Sequence, residues 1–114
     1  MADPATAVAD NYGDIGSNAV DLSNSDSAST TRGATGESST AMGYLTTASG
    51  SISTAMGYET TASGDYSTAM GRDTEASGAF STAIGNDTTA SGFDSTAIGK
   101  GTTTMRNCSP ENGT

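Results

Sequence analysis

Alanine recurs at every seventh residue from position 34 to position 97, without a miss. Glycine stands two residues after each of these alanines, from Gly36 to Gly99. Two alternating elements carry the pattern: Ser-Thr-Ala-Met/Ile-Gly recurs between residues 39 and 99, and Ala-Ser-Gly recurs between residues 48 and 92, each with a spacing of 14. Self-similarity at a fixed period is typical of a repeat protein in which each unit packs on the next.

The residue types exclude the coiled coil that a period of seven first brings to mind. A coiled coil needs large apolar residues at two positions of each heptad, whereas each heptad here holds a glycine and several Thr or Ser residues. Thr, Ser, Ala and Gly (20, 17, 17 and 15 residues) together occupy 69 of the 114 positions. Because Gly, Ser and Thr are poor helix formers, the pattern predicts no helix between residues 36 and 104.

Thr-rich alternation is instead typical of β-strands. Each seven-residue unit predicts a strand of about five residues and a turn of about two. Two units make one 14-residue coil, called a rung below. Stacked rungs predict an all-β fold, a parallel β-solenoid with neighbouring rungs about 4.8 Å apart.

Alternate residues of a strand point to opposite faces, and this parity separates the interior of the coil from its walls. Two short strands joined by tight turns leave room for small residues only, so the repeated small residues predict the interior. We expect nine alanines there: Ala41, Ala48, Ala55, Ala62, Ala69, Ala76, Ala83, Ala90 and Ala97. We expect glycines at the turns, where close approach or a positive φ favours them: Gly43, Gly50, Gly57, Gly64, Gly71, Gly78, Gly85, Gly92 and Gly99.

The large apolar side chains gather on one outer wall, while the other wall is polar. The predicted association surface consists of Met42, Ile52, Met56, Tyr66, Met70, Phe80, Ile84 and Ile98. A contiguous exposed apolar surface marks association, and cyclic symmetry lets each copy bury that surface against the others. The pattern therefore predicts an obligate homo-oligomer without fixing the number of chains.

Charge and composition argue against several functions. Four basic against thirteen acidic residues give a net charge of −9, which disfavours binding to nucleic acid or to an anionic membrane surface. Histidine is absent and Cys108 is the only cysteine, so we expect no catalytic residues, no cofactor and no metal site. The chain is predicted to be non-enzymatic.

From residue 34 to residue 104 the repeats resemble the head repeats of YadA-type trimeric autotransporter adhesins. That family's 14-residue unit contains a Ser-x-Ala-Ile-Gly-like half and an Ala-Ser-Gly-like half, and both halves occur here in phase. Met replaces Ile at positions 42, 56 and 70, which conserves volume. The resemblance implies a left-handed parallel β-roll and a homotrimer whose apolar wall faces the three-fold axis.

The resemblance also implies a function and a location. It implies the head of a bacterial surface adhesin that attaches to host cells or extracellular matrix. Such a head is anchored in the outer membrane through a C-terminal region that these residues do not include. Similar repeats occur in phage and viral fibres, so a structural or receptor-binding fibre segment is the alternative. An ice-binding solenoid is a second alternative, because Thr47-x-Ser49, Thr61-x-Ser63 and Thr89-x-Ser91 form rows of hydroxyl groups.

The regular repeat divides the chain into three segments. Residues 1–33 are expected to be irregular, with a partial repeat at 17–21 and a loop insertion at about 22–33. Residues 34–104 are the β-roll repeats, and residues 105–114 are expected to form a polar tail. Glu59, Asp73 and Asp87 recur at one turn position. A solvated acidic edge is the preferred interpretation of this row, and a Ca²⁺ site is the alternative.

Overall fold

Each strand that the structure describes pairs in parallel with the strand one coil away. The structure, a computed structural model, describes residues 15–24 and 32–105 and, for the backbone alone, residues 110–111. Its strands are β1 (Val20–Asn24), β2 (Gly33–Ala34), β3 (Thr40–Tyr44), β4 (Thr47–Ala48), β5 (Thr54–Tyr58), β6 (Thr61–Ala62), β7 (Thr68–Arg72), β8 (Glu75–Ala76), β9 (Thr82–Asn86), β10 (Thr89–Ala90), β11 (Thr96–Lys100), β12 (Thr103–Thr104) and β13 (Pro110–Glu111).

The strands form two sheets that face each other across the coil. The odd-numbered strands make a seven-stranded sheet, called the long-strand sheet, and the even-numbered strands make the six-stranded short-strand sheet. Partners within the regular repeat are 14 residues apart: Ala55 pairs with Ala69, and Ala62 pairs with Ala76. Like residues therefore stack on like residues. This topology confirms the predicted all-β parallel solenoid with 14-residue rungs.

The second half of each rung forms a shorter strand than the five residues predicted. In this half the consecutive amides of Ser63 and Gly64 both donate to the carbonyl of Ala76, at 3.0 and 3.2 Å. Because two donors share one acceptor, the chain leaves the ladder directly after Ala62. On the other side, Glu59 adopts a left-handed φ of 52° and turns the chain just before the strand. The strand is thereby confined to two residues, Thr61–Ala62.

Small side chains fill the space between the two sheets. All ten alanines from Ala34 to Ala97 have no exposed area. One row of serines and one row of threonines complete the interior: Ser39, Ser53, Ser67, Ser81, Ser95, Thr46, Thr60, Thr74 and Thr88. The Ser39 and Ser53 hydroxyls donate to the carbonyls of Gly36 and Gly50, each at 2.8 Å. Within the described residues, seven other interior hydroxyls have no hydrogen-bond partner: those of Ser67, Ser81, Ser95, Thr46, Thr60, Thr74 and Thr88. No fully buried side chain of the described residues is larger than threonine.

The nine predicted turn glycines fall into two structural sets. Gly50, Gly64, Gly78 and Gly92 lie buried at the bends after the short strands. Gly43, Gly57, Gly71, Gly85 and Gly99 lie instead inside the long strands, with φ between 120° and 137°. The turn placement was therefore wrong for the second set.

Close approach of neighbouring rungs explains both sets of glycines. A Cβ added to Gly64 would lie 2.0 Å from the carbonyl oxygen of Gly78, and one added to Gly71 would lie 1.9 Å from that of Gly85. Real Cβ atoms do not tolerate such distances. Residues other than glycine form most of the sharp corners of the coil. Two such positions recur from rung to rung with left-handed φ values of 52–60°, for example Ile52 (54°) and Glu59 (52°).

The amino-terminal rung has a different register from the one predicted. The structure pairs β1 with β3 at an offset of 20 residues, so that Asp21, and not Ala19, stands opposite Ala41. The partial repeat expected at 17–21 is thus displaced by two residues, and β1 runs to Asn24, into the predicted loop at 22–33. A Cβ on Gly16 would lie 2.1 Å from the carbonyl oxygen of Gly36. Alignment of these two glycines, and not of the nearest alanine, marks the register.

The carboxyl-terminal segment also differs from the expected polar tail at 105–114. The backbone of Pro110–Glu111 forms β13 and extends the long-strand sheet beyond β11. Its register places Glu111 opposite Ala97, as β1 places Asp21 opposite Ala41. An acidic residue therefore occupies the alanine position in the first and the last described strand of this sheet.

Ala62→Leu should strongly destabilise the fold, because the interior has no space for a larger side chain. Overpacking a close-packed interior typically costs about 1–3 kcal/mol, and each chain would suffer it at one rung. Thermal unfolding followed by circular dichroism measures the effect. Ser63→Lys is the matched control: Ser63 is the next residue and is exposed, so its melting temperature should stay unchanged. Equal melting of both variants and the wild type would contradict the assigned interior.

Gly64→Ala and Gly101→Ala separate rung contact from backbone strain. Gly101 has a left-handed φ of 63°, but a Cβ there would meet no atom within 4 Å, whereas Gly64 has no positive φ and a Cβ there would lie 2.0 Å from the carbonyl oxygen of Gly78. We expect a loss of about 1–2 kcal/mol for Gly101→Ala, from strain alone. Gly64→Ala should lose considerably more, because the new Cβ collides with backbone. Denaturant titration of the two variants checks the difference, and similar losses would show that rung contact does not constrain position 64.

Candidate association surface

The outer face of the long-strand sheet carries a continuous row of large apolar side chains. Strand register stacks Leu22, Met42, Met56, Met70, Ile84 and Ile98 in this order, and we call the row the apolar ladder. Its four central members are half-buried, whereas Ile98 is 41% and Leu22 is 66% exposed. A parallel row of half-buried threonines, from Thr40 to Thr96, lies beside it. The single chain thus leaves a flat, mainly apolar strip uncovered along its length.

The outer face of the short-strand sheet, called the polar wall, has the opposite character. It presents Thr47, Thr61, Glu75, Thr89 and Thr103, which stack in register, together with the Ser49, Ser63, Ser77 and Ser91 row. Glu75 is exposed and interrupts the threonine row between Thr61 and Thr89. The polar wall needs no covering, because hydroxyl and carboxylate groups are well solvated.

Three of the predicted association residues do not lie on the strands. Ile52, Tyr66 and Phe80 occupy the turns before β5, β7 and β9, with φ of 54–60° and about half of each side chain exposed. The prediction applied the alternation of a strand to residues that lie two positions before each strand begins. It was wrong there, because the left-handed residue turns the chain before the strand. These side chains therefore flank the apolar ladder instead of belonging to it.

Stacking from rung to rung occupies the aromatic faces in these turns. The Tyr66 and Phe80 rings are 5.0 Å apart and parallel within 2°, and Phe93 meets Phe80 edge-on at 5.5 Å. These rings and the residues beside them form a second strip along the ladder, partly aromatic and partly acidic. We call this strip the amino rim (residues 37–38, 51–52, 65–66, 79–80 and 93–94).

The opposite side of the ladder ends in a mixed aromatic and basic row. We call the last residues of the long strands the carboxyl rim: Tyr44, Tyr58, Arg72, Asn86 and Lys100. The Tyr44 and Tyr58 rings stack at 5.4 Å. The Arg72 guanidinium lies 5.9 Å from the Tyr58 ring, and its Nε lies 3.2 Å from Oδ2 of Asp73. The carboxyl rim therefore combines stacked aromatic rings with polar and basic groups.

Sequence reasoning missed Leu22, Val20 and Phe93 as parts of this surface. Val20 and Leu22 extend the threonine row and the apolar ladder by one rung, and they are 49% and 66% exposed. The 20-residue offset concealed them from a search at a period of 14. Ile52, Tyr66 and Phe80 recur at a spacing of 14, which leads to position 94 in the next rung. Phe93 lies one residue before that position and was therefore missed.

The acidic row and the remaining predicted features do not assemble a second kind of site. Glu59, Asp73 and Asp87 occupy left-handed corners of successive rungs and are exposed. Across residues 15–24 and 32–105, no three Asp, Glu or Cys side chains converge as metal ligands. No helix in that part of the chain is long and apolar enough to cross a membrane. Cys108 lies outside the described residues.

The repeats of this solenoid match the model of one protein family. The family model for the YadA head domain repeat, two copies long, matches residues 34–60, 48–74, 62–88 and 76–102. The chain therefore belongs to the YadA head domain repeat family, as its sequence resemblance predicted. The family comprises adhesin-type heads of trimeric autotransporters, which are structural domains. Comparisons with curated proteins and with solved structures gave no match.

Met70→Asp should abolish association and folding together. Met70 lies at the centre of the apolar ladder, so the change removes about 1.5–3 kcal/mol of side-chain burial per chain and adds the cost of burying an unpaired carboxylate. Sedimentation and circular dichroism, measured on the same samples, test this. Ser63→Asp on the polar wall is the control and should leave both unchanged. A Met70→Asp chain that is monomeric yet fully folded would contradict the obligate role of the ladder.

Proposed function

We propose that the chain is a homotrimeric adhesive head in which three copies bury their apolar ladders around a common three-fold axis. The observation that carries this proposal is the ladder itself, which runs unbroken from Leu22 to Ile98 in strand register. A single chain has an interior of alanine, serine and threonine alone, which buries little apolar area. Burial of the ladder supplies the missing hydrophobic stabilisation. The predicted ladder residues Met42, Met56, Met70, Ile84 and Ile98 are the proposed centre of the trimer interface.

In this assembly the polar wall of each copy faces outward. We propose that it attaches to molecules of the host extracellular matrix or cell surface, and that the head is displayed on a bacterial cell by other parts of the parent protein. Attachment occurs through many equivalent rungs, since serine and threonine recur at the same two wall positions. Weak contacts repeated along one rigid body add up through multivalency.

The interrupted hydroxyl array argues against the ice-binding alternative. Glu75 breaks the threonine row of the polar wall, and the uninterrupted row from Thr40 to Thr96 lies on the proposed trimer interface. A flat array able to order water needs regular, accessible spacing, and neither row provides both. Thermal hysteresis no greater than that of an inert protein is the expected result.

Attachment is tested with the purified chain on surfaces coated with a decellularised matrix preparation and on cultured epithelial cells. Light scattering first establishes the mass in solution, which should be three times that of one chain. We expect retention well above that on albumin-coated surfaces. Replacing serine by lysine on one rung (Ser63→Lys) should change retention little. The same change on three rungs (Ser49, Ser63 and Ser91) should reduce it by about ten-fold or more, because repeated contacts act together.

The outcomes separate the two parts of the proposal. A trimer that is retained on neither surface would remove the adhesive function and favour a fibre segment or spacer. A monomer in dilute buffer would remove the assembly itself. Equal retention of the wild type and the triple variant would show that the polar wall is not the contact surface.

A further inference from the structure

Two of the regular rungs carry opposite charges on the two rims of the ladder. The carboxyl rim has two basic residues, Arg72 and Lys100, which end strands β7 and β11. The amino-rim turns of the same two rungs carry Asp65 and Asp94. The rungs that alternate with them, from residue 51 to 58 and from 79 to 86, have no charge on either rim: Ser51, Ile52 and Tyr58 in one, Ala79, Phe80 and Asn86 in the other. The rung from residue 37 to 44 has Glu37 on its amino rim and Tyr44 on its carboxyl rim.

These opposite charges are too far apart to pair within one chain. Asp65 precedes β7 and Arg72 is its last residue, and a five-residue strand spans about 17 Å. The same holds for Asp94 and Lys100 on β11. Within the chain, Arg72 contacts Asp73 through Nε. A guanidinium carries five N–H donors, so this contact leaves Arg72 with donors for a second carboxylate.

A cyclic trimer brings the two rims together. The ladder extends over the whole roll, so three copies cover it only when their rolls run parallel to the symmetry axis. In a cyclic arrangement each interface is formed by two different patches, one from each copy. The amino rim of one copy then meets the carboxyl rim of the next, and equal rungs lie at equal heights.

We propose, on the basis of the trimer proposed above, that Asp65 pairs with Arg72 of the next copy and Asp94 pairs with Lys100 of the next copy. The second copy of this chain is the partner that the two rims fit. These pairs oppose a slip of one copy by one rung along the axis of the trimer. The apolar ladder repeats every rung, so it fits almost as well after a slip of one rung, about 4.8 Å. That slip would move Asp65 opposite Tyr58 or Asn86 and leave every rim charge unpaired.

Pairs of this kind act on specificity more than on stability. Exposed ion pairs contribute little to the free energy of folding, whereas complementary charges at the edge of an interface fix register and suppress wrong pairings. A repetitive interface needs such a device, because its core carries no information about register. The matched rims supply it at two of the five regular rungs.

The single lysine of the chain allows a direct test. Lys100 is the only lysine, so a zero-length carbodiimide joins a carboxylate to a side-chain amine at this position alone. Trimers are prepared from a mixture of ¹⁵N-labelled and unlabelled chains that were unfolded and refolded together. We expect cross-linked peptides that join Lys100 to Asp94 and contain one labelled and one unlabelled chain. Cross-links between chains from Lys100 to an acid of another rung would overturn the proposed register.

Charge reversal tests the second pair and separates the two proposals. Asp65→Arg and Arg72→Asp should each raise the concentration at which the trimer dissociates by about ten-fold, and the double variant should restore it to near the wild-type value. Asp65 also accepts a hydrogen bond from the Ser51 amide through Oδ1, at 2.9 Å. Asp65→Asn keeps this acceptor and should show the loss of charge alone. Glu75→Arg, on the polar wall, should have no effect.

If the two charge reversals weaken assembly additively and the double variant shows no rescue, the rim pairing is wrong. The proposal of a trimer would stand. A wild-type chain that is monomeric would instead remove the trimer on which the pairing rests. The two failures are therefore distinguishable in one dissociation series.

Discussion

The close spacing of the rungs is the constraint on which the rest of the structure depends. Parallel strands pair at about 4.8 Å, and each 14-residue coil must turn twice within that height. A Cβ at Gly64 or Gly71 would come within 2.0 Å of the next rung's backbone, so these positions accept glycine alone. The two sheets lie so close that alanine, serine and threonine fill the interior. Every rung is thus built from the same few small residues.

The narrow interior buries little apolar area, so the outer surface must supply most of the hydrophobic stabilisation. In an ordinary domain the large apolar side chains are buried between layers, whereas here they stand on the outer face of one sheet. The ladder from Leu22 to Ile98 is therefore both the main hydrophobic resource of the chain and its exposed face. In the proposed trimer, folding and association form one process, because obligate oligomers lack a stable folded monomer. The proposed trimer follows from this division of roles.

Regular repetition makes the outer walls uniform, so only the residues that depart from the repeat distinguish one rung from another. Glu75 interrupts an otherwise continuous hydroxyl row, and Arg72 and Lys100 replace the tyrosine and asparagine of neighbouring rungs on the carboxyl rim. Asp21 and Glu111 take alanine positions in the first and last described strands of the long-strand sheet.

The sequence by itself determined the solenoid, its 14-residue period, the small interior and the apolar wall, because these follow from spacing and from the alternation of side chains along a strand. Only the tertiary structure decided where the chain turns. Shared acceptors shorten strands such as Thr61–Ala62, and left-handed corners move Ile52, Tyr66 and Phe80 off the strands. The tertiary structure also decided the register of β1, which pairs with β3 at an offset of 20 residues instead of 14. Turns and registers depend on hydrogen bonds between residues far apart in the chain, and a local pattern does not contain them.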